Sequence, residues 1–210
     1  MRNSLVLRTD LKLKYLMILL MVSGLCHAQY SNHQLYQAYL EQDVAIWGEY
    51  IASCNWDSLS VEEKKQVLNY EYGYTAVVLG GKKEQAKIIL QRYEQHLQML
   101  QSELPQARYL AYLASVYTYK MAVEKGKLIT HAKKLFACIK ELEELNETDA
   151  LALSMLGNVE FYAPTGSKQK ALEYFLQADS IYSISAQEYE QWNQHAVKRN
   201  IEMCKDKLNK

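Results

Sequence analysis

Residues 151–182 read LALSMLGNVEFYAPTGSKQKALEYFLQADSIY. Leu153, Leu156 and Gly157 recur at helical spacing, and after a break so do Ala171, Phe175 and Ala178. Between the two runs Pro164 ends one helix, Gly166 turns the chain, and the Ser167 hydroxyl can cap the next. This mixture of small and aromatic residues lets two antiparallel helices approach closely and then stack on a neighbouring pair. A lone hairpin of this kind cannot bury its apolar face, so the stretch demands similar hairpins elsewhere in the chain.

Upstream positions supply them. The small residue of the first helix recurs as Gly73, Ala114 and Gly157, 41 and 43 residues apart. The alanine of the second helix recurs as Ala86, Ala132 and Ala171, 46 and 39 apart, each followed four residues later by Leu90, Phe136 or Phe175. The boundaries agree with this period. A short helix spans Ser31–Leu40, and Asp43 caps a second that runs to Ser53. Ser60-Val61-Glu62-Glu63 is a capping box, and the helix it opens runs to Leu79. Gly80-Gly81 stops that helix through the left-handed conformation open to glycine. Its partner spans Lys82 to about Ser102. Pro105 opens a helix that reaches about Lys125, Gly126 breaks it, and another begins near Ile129 and ends at Leu145-Asn146. Thr148 caps the helix of the opening motif. Ser185-Ala186-Gln187-Glu188 is a second capping box that starts the last helix. No alternating β-branched run argues for a strand. The expected fold is all-α, with about four antiparallel helical hairpins and a C-terminal capping helix.

The spacing of Leu156-Gly157, Ala171, Phe175 and Ala178 resembles the tetratricopeptide repeat, which places L-G in the first helix and A-x-x-x-F in the second within about 34 residues. The match is weaker in Tyr109–Asn146 and in Asn69–Tyr93, and the first hairpin departs from it as a terminal cap does. HEAT-like and other α-solenoid arrays share much of the pattern. Phrases such as NYEYGY and GSKQKALEYF are similar to exported bacterial repeat proteins of unassigned activity. The resemblance implies a short right-handed α-solenoid over residues 29–210, with Gly73, Ala86, Ala114, Ala132, Gly157, Ala171, Phe175 and Ala178 as packing residues. In such arrays the first helix of each pair lines the concave face. It therefore implies Tyr70, Tyr74, Tyr109, Ser154, Asn158 and Phe161 as groove residues, where tyrosines could hold an extended protein or peptide partner by stacking and hydrogen bonding. The same tyrosines can equally pack between helices. Family members that clamp a terminal carboxylate use groove lysines and asparagines; only Asn158 is compatible with that set, so no clamp is expected.

Residues 1–28 read as a secretory signal peptide. Arg2, Arg8, Lys12 and Lys14 form a basic leader, Tyr15–Leu25 is an apolar run of eleven residues, and Cys26-His27-Ala28 suits cleavage before Gln29. The run is too short to span a bilayer, which needs roughly 20 apolar residues. Leu25 before Cys26 disfavours lipoprotein anchoring at that cysteine. The expected location is therefore the periplasm or the exterior, with no transmembrane segment after cleavage. The leader holds four basic residues and one acid, so the 24 of each sign fall to 20 basic and 23 acidic, net −3. That balance offers nucleic acid no clustered basic face. Cys54, Cys138 and Cys204 remain, an odd number, and are expected as buried free thiols that pack as small hydrophobes.

No catalytic or cofactor pattern survives scrutiny. Gly80-Gly81-Lys82 resembles the end of a phosphate loop, but Ala76 stands where that motif needs glycine and no Ser or Thr follows Lys82. His33, His96, His131 and His195 lack metal-ligand spacing and read as surface or edge residues. The expectation is a non-catalytic, cofactor-free scaffold that binds a protein or peptide on its concave face. The alternative is an assembly subunit that stacks through its terminal helices, with Trp192 near the contact.

Overall fold

In the computed structural model residues 30–209 are described, except 44, 82, 146 and 147. The segment expected to be a signal peptide, Cys26, Lys82 and the Asn146-Glu147 pair lie outside the described residues. Nine α-helices occur among the described residues, with four short 3₁₀ turns and no strand. They are α1 (Asn32–Leu40), α2 (Ala45–Ser53), α3 (Val61–Leu79), α4 (Lys83–Met99), α5 (Gln106–Val123), α6 (Leu128–Glu144), α7 (Ala150–Tyr162), α8 (Lys168–Ser185) and α9 (Gln191–Leu208).

Local chemistry sets most of the boundaries. Ser31 and Gln34 form a capping box at α1, and Ser60 and Glu63 form the expected one at α3, where Glu63 Oε2 accepts from the Ser60 N–H at 2.8 Å. Ser167 Oγ accepts from the Lys170 N–H at 3.2 Å and opens α8. Three junctions differ from expectation. Asp149, not Thr148, caps α7, through Oδ1 to the Ala152 N–H at 3.0 Å; a carboxylate one residue nearer takes the site. Gly80 stays right-handed at φ −68°, because the last turn of α3 tightens through Gly80 N–H to Val77 O and Gly81 N–H to Val78 O. The one left-handed non-glycine among the described residues is Gln42, at φ 62°, in the α1–α2 turn. Third, α8 runs on to Ser185, whose Oγ donates to Ile181 O instead of capping. The box falls two residues later, between Gln187 and Glu190, and sets the 3₁₀ turn Glu188–Glu190 that leads into α9.

Consecutive helices pack pairwise: α1 on α2, α3 on α4, α5 on α6, and α7 on α8. The first helices of the later pairs also meet, α3 on α5 and α5 on α7. Ala86, Ala114, Ala171, Phe175 and Ala178 are fully buried at these contacts. Gly157 gives Phe175 its seat: a Cβ there would lie 2.7 Å from Phe175 Cε1. Gly157→Leu is therefore expected to cost about 1–3 kcal/mol or more by overpacking, read from a circular-dichroism melt; an unchanged melt would reject this packing. Gly73 is close to a different partner. A Cβ on it would lie 2.7 Å from both Trp192 and Trp47, so it makes room for indoles and not for a second helix. Phe136 departs from its counterpart Phe175, being 56% exposed, and Ala132 is half-buried.

The two ends of the chain meet. The Glu188–Glu190 turn packs on α1 and α3, and α9 packs on α8, α7 and α1. Trp192 joins Trp47, Tyr50, Tyr70 and Tyr74 in one apolar cluster that ties the first hairpin and α3 to the start of α9.

Candidate functional site

Along α3 the sequence YEYGY presents its aromatic residues to different neighbours. Tyr70 is 1% exposed and Tyr74 9%; Tyr70 stands edge-on to Trp47 and Tyr50, and Tyr74 abuts Gly48. Both seal α3 against the first hairpin. At 3.6 residues per turn Tyr72 and Ala76 are turned away from Tyr70 and Tyr74, while Gly73 and Val77 lie along the edge of the Tyr70 face. The open space borders Tyr72, Gly73, Ala76 and Val77. An extended groove over Tyr70 and Tyr74 is therefore corrected: the first hairpin covers them.

The open space is a cavity of about 570 Å³. Helix α3 supplies Tyr72, Gly73, Ala76 and Val77, and α5 supplies Ser115, Thr118, Tyr119 and Met121. Leu135 and Phe136 come from α6, and Met155, Asn158, Val159 and Tyr162 from α7. α9 closes one side with Trp192, Ala196, Arg199 and Asn200, while Tyr39 and Trp47 reach in from the first hairpin. Of the expected groove residues, Asn158 lies here. Ser154 is buried with Oγ donating to Ala150 O at 2.7 Å, Phe161 is buried in the α7–α8–α9 cluster, and half-buried Tyr109 packs on the central cluster. Sequence reasoning missed Arg199 and Asn200 and set Trp192 near a stacking contact instead, because nothing local shows that the last helix packs back on α1 and α7.

α9 is held there by buried polar groups. Asn69 Nδ2 donates to Tyr189 O and to Asn193 Oδ1, both at 2.9 Å, and its Oδ1 accepts from the Tyr112 hydroxyl at 3.1 Å. Arg108 donates through Nε to Asp149 at 2.8 Å and pairs with Glu190 through a terminal guanidinium nitrogen at 2.7 Å. Burial alone would lower the Arg108 pKa, but Asp149 and Glu190 outweigh it and raise it. Trp192, expected at an exposed stacking contact, is 7% exposed and lies 5.1 Å from the Trp47 ring.

The lining is chemically quiet. Among the described residues it holds no His, Cys, Lys, Asp or Glu. Burial pushes the Tyr72 phenol up to about 12 and that of Tyr119 well above its ordinary value, so both stay neutral near pH 7. Burial also raises Tyr39, which the nearby positive charge of Arg199 offsets in part. Ser115 and Thr118 spend their protons on Tyr112 O and Ala114 O. Arg199 is the single charge on the lining and has no ion pair among the described residues. Val77, Phe136 and Tyr162 stand partly exposed around the lining, Tyr162 at 66%.

Elsewhere, His131 is buried against Glu124, a correction to its reading as a surface residue. His96 stacks on Trp56 at 3.6 Å and faces the buried carboxylate of Glu71, as Arg92 also does. Cys54, Cys138 and Cys204 are unpaired; burial raises the pKa of each, Cys138 to about 11. Among the described residues no group of acidic, His or Cys side chains could hold a metal ion, and no helix is long and apolar enough to cross a membrane. No family model, no curated protein and no solved structure matches the chain.

Proposed function

We propose that the chain is an exported, non-catalytic binding module of tetratricopeptide-like build, a short right-handed α-solenoid whose last helix folds back over its concave side. The cavity bounded by α3, α5, α7 and α9 is its binding site, and a compact, largely apolar group is its occupant. The observation that carries this reading is the cavity itself. Its volume falls in the range of about 300–1,000 Å³ typical of ligand sites, and its walls are aromatic and aliphatic with a few polar groups. A binding role is favoured over catalysis because the lining offers neither a nucleophile beside a base nor a proton donor tuned near neutrality.

The protein or peptide partner expected from the sequence is a second reading, in altered form. The exposed side chains of Val77, Phe136 and Tyr162 give the cavity an apolar collar on which a protein could rest while inserting one bulky side chain. An extended peptide along the first helices has less support, since α9 packs on α1 and α7 and touches α3 through Trp192 and Asn193. Stacking through terminal helices also has less, since α1 and α9 contact each other.

N-phenylnaphthylamine, an uncharged dye that brightens in apolar sites, tests the primary reading on the chain from residue 29 onward. Saturable brightening is expected, lost in Ala76→Trp, which fills the cavity, and kept in Ile88→Trp on the exposed face of α4. Equal binding by both variants would place the site elsewhere.

A further inference from the structure

The charge pattern of the cavity specifies its occupant more closely. Most of the wall is apolar: Trp47, Tyr72, Leu135, Met155, Val159 and Trp192. Against it stands one guanidinium, Arg199, with no carboxylate on the lining among the described residues. The other described arginines are committed, Arg92 to Glu71 and Arg108 to Asp149 and Glu190. Arg199 is exposed, so it keeps its water until a ligand arrives and loses little on meeting one. Asn158, on α7, also lines the cavity and is bonded to α9 through Asn200. Its Oδ1 accepts from Asn200 Nδ2 at 3.1 Å, which leaves its own Nδ2 to donate elsewhere.

From this we infer that the cavity binds a free amphiphile with one negative charge, its apolar tail against Trp47 and Trp192 and its anionic head at Arg199 and Asn158. A planar guanidinium fits a carboxylate or sulfonate through paired N–H donors, and a charged acceptor roughly doubles the strength of each hydrogen bond. A cationic head would meet the charge of Arg199 with nothing to compensate it. A neutral head would gain only ordinary hydrogen bonds. The inference rests on the cavity being a binding site and adds the chemistry of the ligand.

Two of the three tryptophans line the cavity, and the third, Trp56, stacks on His96. A bromine-tailed chain therefore reports occupancy by quenching indole emission on contact. The probes are ω-bromododecanoate, ω-bromododecanol and ω-bromododecyltrimethylammonium, each kept below its micelle-forming concentration, with the chain from residue 29 onward. Saturable quenching by the carboxylate is expected, with binding about tenfold tighter than the alcohol. The ammonium compound should not saturate. In Arg199→Gln the carboxylate should fall to the level of the alcohol while the alcohol is unchanged. The melting curve should also be unchanged, because Arg199 holds no ion pair among the described residues. Equal binding of acid and alcohol, or an unaltered acid in Arg199→Gln, would overturn the inference and leave the cavity as a site for neutral apolar groups. Failure of all three probes to quench would overturn both the inference and the cavity reading beneath it.

Discussion

Arg108→Met is expected to lower the stability of the chain by about 3–5 kcal/mol, read from urea unfolding of the part from residue 29 onward. Arg108 sits at a three-way junction. Its Nε holds Asp149, the N-cap of α7, and a terminal nitrogen holds Glu190, the residue that closes the turn into α9. Both carboxylates are largely buried. Methionine keeps the apolar stem but strands two negative charges together, and an uncompensated buried charge costs far more than the net worth of the pair. Each carboxylate also has a second duty, Asp149 to the Ala152 N–H and Glu190 to the Gln187 N–H, so neither can swing out to water without giving up a cap. Adding Glu190→Gln to Arg108→Met should therefore recover part of the loss, and the double-mutant cycle should show strong coupling. A single-variant loss under about 1 kcal/mol would mean that the junction is solvated and does not hold α9 in place.

That junction also marks where sequence reasoning stops. Helix class and most boundaries are legible locally, because Ser60, Glu63, Pro105 and Ser167 act within a turn of their own position. Where those signals compete, the local reading slips by one or two residues. Asp149 outcompetes Thr148 as a cap, and Gln187 with Glu190 replaces a box at Ser185. The site is less legible, for a physical reason. Tyr70 and Tyr72 are two residues apart on one helix and alike in chemistry, yet one packs against the first hairpin and the other borders the cavity. The helical period sets them on opposite faces, but only the placement of α2 and α9 decides which face is covered. Arg199 reads as one more cation on an amphipathic helix until the fold-back sets it beside residues some 40 to 120 positions earlier, Asn158 and Ala76 among them. Asn158 lines the cavity, but Ser154 and Phe161, chosen on the same helix by the same reasoning, do not, so the first-helix rule alone does not locate the site.

Trp192→Ala is expected to cost about 3–5 kcal/mol, the range for removing a buried indole. Trp192 touches Tyr39, Trp47 and Tyr72 at ring separations of 5.1–5.9 Å and fills the notch left by Gly73. The loss belongs to packing, because its Nε1 has no hydrogen-bond partner among the described residues and so no bond is broken. Trp192→Phe should accordingly lose less than Trp192→Ala, because it keeps most of the ring packing. Gly73 supplies the converse test. Gly73→Ala places a methyl 2.7 Å from Trp192 and from Trp47, and in the wild-type background it should cost about 1–3 kcal/mol. In the Trp192→Ala background one of those two obstacles is gone and α9 has lost its anchor, so the added methyl should cost less and refill part of the void. The two substitutions would then be strongly non-additive. Additive losses would show that Trp47 alone bears the contact and that Trp192 leaves the notch in solution, in which case α9 does not wall the cavity and Arg199 has no fixed place on its lining.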